Sequence, residues 1–149
     1  MKVLIAAVLF ALTSAVALGA EPHWVLIGSD IAVKAAEDHT KTVVYLDEAN
    51  PLAEEGYNGF TVKWVLPQLS DGDTIAADGT HVKVPYQVLL STMEYNCHTD
   101  VGRGKRTFLV AAADGTKHPF SEDWREIAPG SGAAAVLAEV KERACASVH

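Results

Sequence analysis

Hydrophobic and polar positions alternate most cleanly over residues 60–66, where Phe60, Val62, Trp64 and Leu66 interleave with Thr61, Lys63 and Val65. Successive side chains of an extended strand point to opposite faces, so this period of two predicts a strand with one face in a core and the other partly wet. Pro67 is expected to end it, because proline has no N–H for a ladder. Residues 86–97 form a second extended run. Its register puts Leu89, Ser91, Met93, Tyr95 and Cys97 on one face, and Val88, Leu90, Thr92, Glu94 and Asn96 on the other. Residues 100–105 are glycine-rich and predict a turn, and residues 106–113 predict the paired strand, closing at Asp114-Gly115.

The rest of the pattern is shorter. Residues 23–28 are strongly apolar and suit a first strand, residues 38–41 are polar and turn-like, and residues 42–47 are β-branched and aromatic, the composition of a second strand. Asn50-Pro51 and Asn58-Gly59 turn the chain, so residues 48–59 are expected to be a loop with at most one helical turn at 52–55. The polar stretch 68–80, with Asp71-Gly72 and Asp78-Gly79, predicts a long mobile connection. After a polar turn at 116–123, Trp124 and Ile127 mark a last short strand and Pro129-Gly130 breaks it. Ser131 is the expected N-cap of a helix over about 132–146. On a helical wheel Ala133, Val136, Leu137, Val140 and Ala144 form one stripe, with Cys145 at its edge.

Composition adds an address. Met1-Lys2, a run of apolar residues and a small-residue end at Leu18-Gly19-Ala20 make residues 1–20 a cleavable signal peptide, cut after Ala20 or alternatively after Ala17. Residues 21–149 are the size of one domain. With no cysteine near the cut to carry acyl chains, a soluble exported protein is expected, periplasmic or secreted, with no membrane-spanning segment. The formal charge of -7 becomes one unit more negative once the signal and its Lys2 are removed, which argues against nucleic acid or an anionic membrane as partner.

The two cysteines read as a disulfide in an exported chain, Cys97 to Cys145, pinning the helix onto a sheet. A thiol nucleophile at Cys97-His98 is disfavoured because strand neighbours point to opposite faces. Six scattered histidines lack metal-site spacing, and Asp71-Gly72-Asp73-Thr74 fails as a calcium loop at Ile75. Residues 102–107 have the outline of a phosphate loop but place Arg106 where Ser or Thr should follow the lysine, and they lead into a strand. No catalytic constellation, metal site or cofactor site is expected. Arg103, Lys105 and Arg106 are the one concentrated positive charge and a candidate docking patch for an acidic partner, with a solubilised hairpin tip as the plainer reading.

The order of these features resembles the surface-adhesin protein E-like family of Gram-negative bacteria. It runs from a Trp-led first strand through Tyr45-Leu46-Asp47, Val62-Lys63-Trp64 and Tyr95-Asn96-Cys97 to an Asp114-Gly115 turn. Trp124, Pro129-Gly130-Ser131 and a final helical cysteine complete it. The resemblance implies an α+β fold: an antiparallel sheet of about six strands with a C-terminal helix held on one face by the Cys97–Cys145 disulfide. It also implies adhesion, since the family's namesake binds extracellular-matrix and plasma proteins such as vitronectin and laminin. The sequence thus predicts an exported, non-enzymatic binding module, the alternative being a periplasmic accessory or inhibitor protein that binds another bacterial protein.

Overall fold

The computed structural model describes residues 19–31, 42–120 and 122–146. The apolar run of the expected signal peptide and the turn expected at 38–41 lie outside the described residues. Among the described residues eight strands form one sheet: β1 Trp24–Ile31, β2 Thr42–Asp47, β3 Leu52–Glu54, β4 Tyr57–Ile75, β5 His81–Asn96, β6 Val101–Ala111, β7 Lys117–Pro119 and β8 Arg125–Glu126. The helix α1, Gly132–Ala144, follows. Six strands lie side by side in the order β1-β2-β4-β5-β6-β7, while β3 pairs with β4 and β8 with β6. Each pairing is antiparallel.

Register shows how the alternating pattern makes a core. Phe60 lies opposite Met93 and Trp64 opposite Leu89 across β4 and β5, while Val44 faces Trp64 and Leu46 faces Val62 across β2 and β4. These side chains share one face and meet Val136, Val140 and Ala144 of α1 in a buried cluster, with Ala133 and Leu137 packed at its margin. The expected helical stripe and the expected β5 register are therefore both present. Cys97 joins Cys145 in a disulfide whose Cα atoms are 5.8 Å apart, closing a span of 48 residues.

Several expectations are overturned. Pro67 does not end β4, which continues to Ile75. The ladder shifts register between Val65 and Ser70, so the proline sits where no strand partner requires its missing N–H. The Gln87 side-chain amide donates to the Leu66 carbonyl at 2.9 Å in that gap. Residues 68–80 are accordingly not a mobile connection. They are half of a long arm in which Ile75 pairs with His81, and β5 begins at His81 instead of residue 86. Only residues 76–80 turn, with Gly79 at φ 84°. The arm and the end of β6 bury a second cluster of Leu66, Val84, Tyr86, Leu109 and Ala111.

Residues 52–55 form no helical turn. Glu55 and Gly56 have φ of 50° and 85°, the doubly positive pair that a tight β3–β4 hairpin demands. Residues 101–105, expected as part of a turn, belong to β6, because the reversal is made by residues 97–100, where the Asn96 side chain accepts from the His98 and Thr99 amides. Ser131 occupies the N-cap position, but its hydroxyl donates backwards to the Ala128 carbonyl at 2.8 Å and does not cap α1. The helix ends at Ala144, two residues before the expected end.

Candidate functional site

The first turn of α1 is Gly132-Ala133-Ala134-Ala135, and its bulky core residues begin at Val136. Side chains this small leave space between the helix start and the sheet. Gly104 of β6, opposite Met93, deepens that space by presenting no side chain. The result is a cleft of about 510 Å³ with Trp64, Leu89 and Met93 as floor and Ile127 on one wall. The strongest polar groups of the floor are paired to each other: Trp64 Nε1 donates to Ser91 Oγ at 2.7 Å in a buried bond. What the floor offers a ligand is therefore carbon.

The mouth is charged. Arg106 lies opposite Ser91 on β6, on the helix-bearing face, and binds Glu122 from the crossing segment that leads into β8. Its Nε donates to Glu122 Oε1 at 2.7 Å and its backbone N–H to Oε2 at 3.1 Å, while Nη2 contacts the same carboxylate. The hydrogen bond from Arg106 holds the Glu122 carboxyl below its ordinary range against the opposing effect of burial, and the charge of Arg125 pulls the same way. The pair raises Arg106 in turn. Arg125 pairs with Gly104 in the ladder and so shares the cleft's face of the sheet. Two guanidiniums thus sit beside one carboxylate.

Arg106 and Glu122 also border a second cavity, of about 760 Å³, between the β4–β5 arm and the segment around Phe120. Tyr86 lines it, and burial raises its phenol above the usual range.

The expected docking residues separate. Arg103 and Lys105 pair with Glu94 and Thr92, on the face away from α1. Arg103 is sandwiched between the rings of Tyr57 at 3.8 Å and Trp124 at 4.2 Å, and Lys105 Nζ lies 4.4 Å over Trp124. Arg103 Nε donates to Glu94 Oε2 at 2.9 Å, and its Nη2 is 2.8 Å from the same oxygen as an ion contact without a hydrogen bond of its own. Of the three, Lys105 and Arg106 border the cleft and Arg103 does not. Glu122, Arg125 and Ile127 complete the site, and no local motif marks the first two: only the path of the chain from β7 to β8 carries them to Arg106.

Among the described residues there is no free cysteine and no group of three or more His, Cys, Asp or Glu side chains placed to hold a metal ion. No helix among them is long and apolar enough to cross a membrane. The arrangement suits binding of an apolar group with an anion beside it. No family model, no curated protein and no solved structure matches the chain.

Proposed function

We propose that the protein is an exported, non-enzymatic binding module and that the cleft under the start of α1 is where it binds. The observation that carries this reading is the state of the cleft's polar groups. Trp64 donates to Ser91 and Arg106 to Glu122, which leaves Trp64, Leu89, Met93 and Ile127 as a mainly apolar surface suited to binding. The disulfide supports export, since such bonds persist in oxidising compartments, and it ties the far end of α1 to the end of β5.

Adhesion to an extracellular-matrix or plasma protein is the form of binding that the resemblance implies. Binding of another bacterial protein in the periplasm is the other form. The two differ by address, and protease treatment of intact cells separates them: digestion before the outer membrane is opened supports adhesion, and protection supports the periplasm. Binding itself is tested with Ser131→Trp, which fills the cleft from an exposed position at its edge. Wild-type protein is expected to bind immobilised matrix or plasma protein, or a periplasmic extract, and the variant to lose that binding. Equal binding by both would remove the cleft from the reading.

A further inference from the structure

We propose that the occupant of this cleft is a single-chain fatty carboxylate, with its tail on Trp64, Leu89, Met93 and Ile127 and its head between Arg106 and Arg125. The inference rests on reading the cleft as a binding site and names what enters it.

Three observations converge. The size, about 510 Å³, falls within the roughly 300 to 1,000 Å³ of small-molecule sites. On the floor the indole N–H of Trp64 is already satisfied by Ser91 Oγ, so a hydrocarbon tail displaces water there without stranding that donor. At the mouth, the Arg125 side chain makes no hydrogen bond or ion pair among the described residues, and of the two carboxylates that border the cleft, Glu122 and Glu126, Glu122 is held by Arg106. Lys105, Arg106 and Arg125 against Glu122 and Glu126 leave one surplus positive charge around the cleft, on a protein whose formal net charge is -7. The first turn of α1 has no acidic residue, and its N-cap hydroxyl is turned away, which leaves the helix's own positive end at the same opening. An anion on an apolar stem complements all of this. A cationic amphiphile meets repulsion, and a short anion forgoes the floor.

The disulfide-intact protein is titrated with decanoate, decyltrimethylammonium and acetate, followed by calorimetry and tryptophan fluorescence. Decanoate is expected to saturate one site and the other two to show no saturable signal. Arg125→Gln, at an exposed position, is expected to weaken decanoate about ten-fold, the size of one hydrogen bond to a charged group. Ser131→Trp is expected to abolish decanoate binding. Saturation by decyltrimethylammonium, absence of saturation by decanoate, or an unchanged affinity in Arg125→Gln each overturns the proposal. So does a peptide ending in a leucine carboxylate that saturates the cleft where decanoate does not. If decanoate fails while Ser131→Trp still abolishes partner binding, the ligand class falls and the binding reading stands; if both fail, both fall.

Discussion

Leu137 of α1 lies directly over Gly102 of β6: a Cβ added at Gly102 would fall 2.2 Å from Leu137 Cδ2 and 2.9 Å from its Cγ. Helix and sheet touch here with no room for a methyl group. Gly102→Ala is expected to push Leu137 off its position and to cost roughly 1–3 kcal/mol, the usual range for overpacking a core. Leu137→Ala should relieve much of it. Urea unfolding of the two single variants and the double variant checks this, and strictly additive effects would show that the contact is not responsible.

The disulfide acts on the same interface. α1 buries only Val136, Val140 and Ala144, so its own apolar contribution is small and the covalent tie matters more. Closing a span of 48 residues removes about 4 kcal/mol of denatured-state entropy in the chain-entropy account. Cys97→Ser with Cys145→Ser is expected to lower the urea midpoint by a corresponding amount and to reduce the helical signal in circular dichroism. Reduction of the wild type should reproduce the loss.

Glycine shows where the sequence was legible and where it was not. Asp78-Gly79 and Asp114-Gly115 read as turns and are turns, with positive φ at both glycines. Asp71-Gly72 and Asn58-Gly59 carry the same signature, yet both lie inside β4. A Cβ at Gly72 would meet Leu109 Cδ2 at 2.5 Å, and one at Gly59 would meet the Met93 carbonyl at 2.1 Å. These glycines serve close approach to residues of β5 and β6, a need set far away in sequence that a local reading assigns to bending. The core faces, by contrast, were legible because each depends only on period: Phe60, Val62 and Trp64 on one strand, Val136 and Val140 on the helix. The cleft fell between these cases. Trp64 was visible on the core face of one strand, Leu89 and Met93 on one face of another, and Arg106 as a charge, but Glu122 and Arg125 meet them only through the crossing from β7 to β8.

Arg103 and Glu94 form a buried pair, Glu94 being 2% exposed. Burying two charges is tolerable only while both are present. Arg103→Met is expected to destabilise by about 3–5 kcal/mol, because Glu94 is left without its partner under the Tyr57 and Trp124 rings. Pairing it with Glu94→Leu should recover most of that loss. Thermal melts of the three proteins decide it: a double variant as unstable as Arg103→Met would mean that the aromatic stacking, and not the charge pair, sustains this corner.

Asp100 ties the β5–β6 turn to the helix, accepting from Lys141 Nζ at 2.8 Å and from the Tyr95 hydroxyl. Both bonds favour the charged carboxylate, Lys141 more strongly, and hold it below its ordinary 3.8. A carboxyl whose folded value is depressed binds its proton more weakly in the native state than in the unfolded one. Its stabilisation is therefore fully present above about pH 5 and is lost as pH falls through the folded value. Glu122 shares that sign, held down chiefly by Arg106. Melting temperature should fall on acidification, and Asp100→Asn should flatten part of that fall while lowering the melting temperature slightly at neutral pH. Asparagine tolerates the φ of 60° at this position, so the variant removes charge without adding backbone strain. Lys141→Met should flatten the same part of the curve, and adding it to Asp100→Asn should change nothing further. An acid limb in Asp100→Asn that superimposes on the wild type would show that this contact does not couple to folding.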